Sequence, residues 1–240
     1  MRKNICFAVI ILFLAASTVA VGADFWEKKE YKEWSNKECV KMLTNSPWAK
    51  DHTLLDQGLQ RSTRESDDGR QFYVKYQVQF ATALPIRQAQ VRQMQIAQNY
   101  DDLEPEVQQQ HDQNAEAYLA KQFPDAVILV VSYETNSRTR SMDLIRHWQS
   151  QTTDLLKNKV FLRNSRGDRV DLAAFQPYEN EPGFQFVFPR QTAEGKPLVE
   201  AEDKNLMLEF AYPKAGPIGE GDAFMEFKPE KMVFQDTLTY

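Results

Sequence analysis

Large apolar side chains occupy the even-numbered positions from Phe72 to Phe80, whereas Lys75, Gln77 and Gln79 occupy odd ones. This strict alternation is typical of a strand with one buried face. Residues 126–133, which read AVILVVSY, have the length and β-branched content of a buried central strand. The pattern therefore predicts two strands in the amino-terminal half of the chain.

Helical signals surround these strands. Ser35 and Glu38 fit a capping box, which predicts a helix from Asn36 to about Thr44. Pro47 would prevent its continuation. We expect one face of this helix to dock on the protein through Cys39, Val40 and Leu43.

Three further segments have helical spacing. One follows Pro85 and is rich in glutamine. The second begins at Pro105 and carries an apolar stripe of Val107, His111, Ala115, Tyr118 and Leu119. The third spans 141–157, with apolar positions at Met142, Ile145, Trp148 and Leu155.

Beyond residue 157 the pattern predicts strands only, at 159–164, 168–174, 183–189 and 205–212 and around Phe224 and Val233. The predicted fold is α+β, with a mixed helix and strand amino-terminal part and an antiparallel, β-rich, sandwich-like carboxy-terminal part. We divide the chain into 24–157 and 158–240. These regions either share one core or form separate domains.

The segment 164–168 contains the tripeptide Arg166-Gly167-Asp168. It is predicted to be a three-residue hairpin loop, with a type I turn that starts at Asn164 and a left-handed Gly167. This register sets Leu162 opposite Val170. The competing hypothesis, an adhesive loop that a receptor recognises, has only the tripeptide itself in its favour.

Residues 1–23 have the features of a secretory signal peptide: two basic residues, a short apolar run and small residues before Asp24. We therefore expect an exported, periplasmic or extracellular protein without a transmembrane segment after signal removal. Loss of Arg2 and Lys3 with the leader changes the formal charge from −5 to −7. An acidic chain argues against nucleic acid as the main partner.

Candidate catalytic residues are few. None of the three histidines, His52, His111 and His147, has metal-ligand spacing, and nucleophile-elbow and phosphate-loop motifs are absent from the sequence. We therefore predict no catalytic residue, no metal and no cofactor. Cys39, the one cysteine left after signal removal, is interpreted as a buried thiol. The acidic cluster at 101–106 is interpreted as complementing a helix dipole.

Most aromatic residues fit core positions on strands or helices. The exception is the segment 24–34, where Trp26, Tyr31 and Trp34 lie among lysines and glutamates. We predict that these three residues bind a ligand.

Four stretches, FWEKKEYKEWSNKECVKMLTNSPWAK, ALPIRQAQVRQ, HWQSQTTDLLKNKVFL and FQFVFPR, resemble a family of uncharacterised exported bacterial proteins. The resemblance covers nearly the whole chain after the leader. It implies export and a shared fold, and no activity.

Two functions remain open. The first is a non-enzymatic binding or structural protein of the bacterial envelope, with an unknown protein, peptide or glycan as its partner. The alternative is an envelope hydrolase without a familiar motif, with His111 or His147 as the base. The hydrolase requires a nucleophile or a set of metal ligands close to a histidine. Carboxylates and two histidines within hydrogen-bond reach of one another in a cleft would favour it.

Overall fold

The computed structural model describes residues 24–56, 66–179 and 181–240. The predicted signal peptide lies outside these residues. The described chain has an α+β fold in which the helices lie mostly in the amino-terminal half and the strands in the carboxy-terminal half. None of its helices combines the length and the hydropathy that crossing a membrane requires.

Six α-helices are present in the described part of the chain. They are α1 (Phe25–Lys28), α2 (Asn36–Thr44), α3 (Leu84–Ala97), α4 (Pro105–Leu119), α5 (Arg138–Gln149) and α6 (Thr153–Leu156). Short 3-10 turns follow α1 at Tyr31–Glu33 and α3 at Tyr100–Asp102.

The larger sheet has five antiparallel strands in the order β1-β2-β3-β7-β6. These are β1 (Ala49–Leu55), β2 (Tyr73–Phe80), β3 (Ala126–Thr135), β6 (Ala174–Pro177) and β7 (Gly183–Pro189). The predicted alternation on β2 is confirmed, since its even-numbered side chains are almost completely buried. The segment AVILVVSY is confirmed as the central strand, β3.

The second sheet has four antiparallel strands in the order β5-β4-β8-β9. They are β4 (Val160–Asn164), β5 (Arg169–Asp171), β8 (Leu206–Tyr212) and β9 (Gly221–Phe227). A separate two-stranded hairpin follows, in which β10 (Val233–Phe234) pairs with β11 (Thr237–Leu238).

The facing surfaces of the two sheets pack together through aromatic side chains. Tyr76 of β2 meets Phe210 of β8 with ring centroids 5.4 Å apart, and Phe80 meets Phe227 of β9 at 4.8 Å. Trp148 of α5 packs on Phe184 of β7 at 4.2 Å. Each such pair contributes about 0.5–1.5 kcal/mol beyond its buried area.

The capping box of α2 is confirmed: the Ser35 hydroxyl accepts from the Glu38 amide, and the Glu38 carboxylate accepts from the Ser35 amide. The predicted docking face is wrong at Val40, which is 41% exposed. Met42 takes its place beside Cys39 and Leu43. Val40 fails because it is one residue from Cys39 and so points about 100° away around the helix.

The predicted stripes on α4 and on 141–157 also need correction. Val107 of α4 is exposed, and Ala115 is the fully packed position of that helix. The segment 141–157 is divided into α5 and α6 because Ser150 ends the first helix and Thr152 precedes the second. Ser and Thr favour such helix ends over helix interiors. Met142 and Leu155 are exposed, while Leu144 and Leu156 are buried.

The predicted strand 168–174 is two strands that belong to different sheets. β5 pairs with β4, whereas β6 pairs with β7 in the larger sheet. Strands from both sides of residue 157 therefore form the five-stranded sheet, and buried residues from both sides belong to one hydrophobic cluster.

Candidate functional site

The segment 24–34 folds as α1 followed by a 3-10 turn, and its tryptophans anchor it to the protein. Trp34 is fully buried, and its Nε1 donates a hydrogen bond to the carbonyl oxygen of Lys29 at 3.2 Å. Trp26 packs edge-on against Trp48, with ring centroids 5.9 Å apart. Of the three predicted ligand-binding residues, Tyr31 keeps the most exposed side chain.

A groove of about 740 Å³ separates this segment from residues 230–236. We call it the amino-terminal groove. Trp26 and Tyr31 line it, and Trp34 does not. Pro47, Val233 and Phe234 add further apolar surface. The second wall comes from far along the chain, so no local pattern in the sequence predicted it.

Carboxylates outnumber cations in the lining of the groove. The cations are Lys28, Lys29 and Lys231; the carboxylates belong to Asp24, Glu27, Glu30, Glu33, Glu230 and Asp236. Two of these groups are also paired outside the groove: Lys29 Nζ donates to Glu38 at 2.7 Å, and Asp24 Oδ1 accepts from Lys41 Nζ at 3.5 Å. The groove therefore favours cationic groups, and high salt would weaken this preference.

Burial shapes the chemistry of Tyr31 in this groove. Desolvation raises the pKa of its phenol, and the nearby Lys32 opposes the rise. The phenol therefore stays protonated at neutral pH and can donate a hydrogen bond to a ligand.

The hairpin of β10 and β11 contributes a wall with unusual backbone geometry. Gln235 and Asp236 connect the strands with φ values of 50° and 59°. Two left-handed residues are the pattern of a type I′ turn, which usually contains asparagine or glycine. A strand near Val233 was predicted from the sequence, but this turn was not, because neither of its residues is glycine.

The Arg166-Gly167-Asp168 loop has the predicted geometry. The amide of Asn164 donates to the carbonyl of Asp168 at 3.0 Å, and Gly167 has a φ of 92°. Leu162 lies opposite Val170, so the predicted register is confirmed.

The charged side chains of this loop are held by the protein itself. Arg166 Nε donates to Asp168 Oδ2 at 3.2 Å, and its Nη1 donates to Glu200 and Asp203, each at 2.8 Å. The Arg166 and Asp168 side chains are 32% and 24% exposed. A receptor would have to break these contacts before it could bind the tripeptide. This favours the hairpin-loop interpretation over the adhesive loop.

The three histidines lie on different elements. His52 is on β1, His111 on α4 and His147 on α5. Burial lowers the pKa of both His52 and His147; Asp51 partly offsets this at His52, and Lys159 adds to it at His147. In the described residues, no hydrogen bond or ion pair joins any of them to a carboxylate.

His111 lines a mainly apolar groove of about 450 Å³ between α3 and α4. Met94, Ala115 and Tyr118 contribute to the same groove. Its ring lies edge-on to Tyr100 at 6.3 Å. The position offers His111 contact with an apolar molecule in this groove.

Cys39 is fully buried as a free thiol, and this burial raises its pKa to about 11. Its side chain packs in the core, as predicted. In the acidic cluster, Glu106 lies in the first turn of α4 and Asp101 in the preceding 3-10 turn, and both are exposed. Across residues 24–56, 66–179 and 181–240, no three His, Cys, Asp or Glu side chains could hold a metal ion together.

Comparisons with known proteins do not assign a family. No family model matches the chain, and no curated protein matches it. One solved structure, described as a novel protein of unknown function from Burkholderia pseudomallei K96243, aligns with a TM-score of 0.36 and 15% sequence identity. The alignment covers 62% of this chain and 73% of that protein.

Proposed function

We propose that this protein is an exported, non-enzymatic binding protein of the periplasm or extracellular space, and that it holds a cationic peptide segment of a partner protein in the amino-terminal groove. The observation that carries this proposal is the excess of carboxylates over lysines around a groove of about 740 Å³. Charge complementarity of this kind attracts a cationic partner and disfavours an anionic one.

Apolar surface in the same groove supports a peptide rather than a free cation. Tyr31, Pro47 and Val233 offer contacts for an apolar side chain next to the charged rim. Binding sites combine apolar contact with a few polar groups that set orientation. A peptide with alternating basic and aromatic residues would use both kinds of surface.

The test compares two tripeptides whose outer residues carry opposite charges, Lys-Trp-Lys and Glu-Trp-Glu, by isothermal titration calorimetry. We expect the protein to bind the basic peptide more tightly, with an affinity that falls as the salt concentration rises. Glu30→Gln removes one carboxylate from the rim and should weaken binding by about two- to threefold, as expected for an exposed charge pair.

Glu194→Gln is the matched control, since it removes one exposed carboxylate from a turn that does not line the groove. The proposal predicts no change for this variant. Equal affinity for the two tripeptides, or an equal effect of the two substitutions, would show that the groove does not select cationic peptides. Binding of neutral glycans in place of Lys-Trp-Lys would assign the groove to a different class of partner.

A further inference from the structure

A second pocket, of about 520 Å³, lies where the start of α3, the end of α4 and residues 234–240 meet. We call it the basic pocket. Its charged side chains are Arg87, Lys121 and Arg190, and no acidic side chain lines it. This is the reverse of the charge balance in the amino-terminal groove, although the two share Phe234 and Gln235.

Arg87 is the most deeply buried of these cations, at 5% exposure. Burial lowers the pKa of its guanidinium, and the Tyr118 phenol is the group that opposes this effect. Within the described residues, Arg87, Lys121 and Arg190 form no ion pair with a carboxylate. A buried cation without a counter-ion is costly, so the folded protein gains free energy if an anion binds nearby.

Backbone carbonyls orient the guanidinium group of Arg87. Arg87 Nη1 donates to the carbonyl oxygens of Tyr118, Leu119 and Lys121 at 2.9, 3.0 and 3.1 Å. These carbonyls are dipoles and leave the positive charge of Arg87 uncompensated.

Arg190 is held in a similar way at the other side of the basic pocket. Its Nε donates to the carbonyl oxygens of Phe123 at 2.7 Å and Ala126 at 3.2 Å. Its guanidinium lies over the Tyr240 ring, 4.2 Å from the centroid, and Nη2 donates to the backbone oxygen of Tyr240. Even a carboxylate at Tyr240 would balance only one of the three positive charges.

Two buried donor atoms of residues that line this pocket have no hydrogen-bond partner among the described residues. They are the Nε of Arg87 and the Oγ1 of Thr82, both of which belong to residues with 5% exposure that line the pocket. Leaving a buried polar group unbonded costs free energy, and each of these two groups can donate a hydrogen bond to an oxyanion that reaches it. The remaining walls include the apolar side chains of Leu84, Leu119 and Phe123.

We propose that the basic pocket binds a small organic anion in which a carboxylate or phosphate group is attached to an apolar body. The oxyanion lies against Arg87, Lys121 and Thr82, and the apolar body contacts Leu84 and Phe123. This site is independent of the cationic-peptide groove in the proposed function.

Four probes test the contributions of the oxyanion and of the apolar body separately: phenyl phosphate, benzoate, phenol and inorganic phosphate. Titration calorimetry of the purified protein should show that phenyl phosphate or benzoate binds more tightly than phenol or inorganic phosphate. The comparison of phenyl phosphate with benzoate identifies which oxyanion is preferred. Binding should also raise the melting temperature, since a ligand of the native state stabilises it.

Two variants assign the binding to this pocket. Thr82→Val removes an unbonded hydroxyl and keeps the side-chain shape, so the melting temperature should be kept or raised while anion binding weakens. Lys121→Gln should weaken anion binding by about threefold. Lys37→Gln removes the same charge from α2, outside the pocket, and should leave binding unchanged.

The proposal is overturned if neither anion binds more tightly than phenol, or if both Thr82→Val and Lys121→Gln bind the anion as the unmodified protein does. Binding of Lys-Trp-Lys should be unaffected by either variant. That measurement separates failure of the basic pocket from failure of the amino-terminal groove.

Discussion

Arg166 shows how a single side chain can stabilise a loop that resembles a recognition motif. It contacts Asp203, whose side chain is 1% exposed, and it also contacts Asp168 and Glu200. Arg166→Ala would leave the buried Asp203 carboxylate without its cation, and we expect a loss of about 1–3 kcal/mol in the free energy of unfolding. Denaturant titration measures this loss.

Asp168→Glu is a milder change in the same network. In a turn without side-chain contacts, this substitution would hardly change the free energy of unfolding. Here, however, Asp168 Oδ2 accepts hydrogen bonds from both Asn164 Nδ2 and Arg166 Nε. We therefore expect a measurable loss that is smaller than that of Arg166→Ala. Unchanged denaturation midpoints for both variants would contradict a stabilising role for these contacts.

Gly167 tests the backbone of the same loop. Its φ is 92°, and no other heavy atom lies within 4 Å of the position that a Cβ would occupy. Gly167→Val should therefore cost about 1–2 kcal/mol for conformational reasons alone. Gly219→Val is the control, because Gly219 has equally open surroundings without a positive φ. The prediction fails if both variants lower the melting temperature equally.

At the scale of elements, the amino-terminal cap of α2 couples stability to pH. Hydrogen bonds from Lys29 and from the Ser35 amide lower the pKa of Glu38 from 4.5 to about 2. A lowered carboxyl pKa stabilises the folded state above pH 4.5, and this contribution is lost as the pH falls through about 2.

Glu38→Gln keeps the length of the capping side chain and removes its charge. We expect the difference in unfolding free energy between the native protein and this variant to be greatest above pH 4.5 and to shrink as the pH falls toward 2. Denaturant titrations over this pH range measure it. A difference that stays constant with pH would exclude the ionised carboxylate as the source.

Local patterns predicted the elements whose signals are contained within a few residues. The Ser35 and Glu38 pair specified the start of α2, and alternation specified the buried face of β2. The break between α5 and α6 was missed because the seven-residue spacing of Trp148 and Leu155 continues a helical period across it. Polar residues that end a helix are a weaker signal than apolar periodicity.

At the scale of the whole molecule, alternation identifies the buried face of a strand and leaves its neighbours undetermined. A strand at 183–189 was predicted, yet the pairing of β7 with β3 rather than with a carboxy-terminal strand was not. The same limit applies to the basic pocket, because Arg87, Lys121 and Arg190 come from distant parts of the chain. Only long-range packing brings these charges together.

Trp48 connects the amino-terminal part of the chain to residues 234–239, which contribute to both proposed sites. Its Nε1 donates to the carbonyl oxygen of Thr239 at 2.6 Å, and its ring packs against Phe234 with centroids 6.2 Å apart. Trp48→Phe removes the bond and part of the packing, so we expect a loss of about 2 kcal/mol and faster hydrogen exchange at the Thr239 amide. Trp26→Phe removes a similar volume without a bond to residues 232–240, so it should leave that exchange rate unchanged. If both variants accelerate exchange at the Thr239 amide equally, the effect comes from a general loosening of the core. The Trp48 hydrogen bond would then not be what holds the carboxy-terminal hairpin beside the two sites.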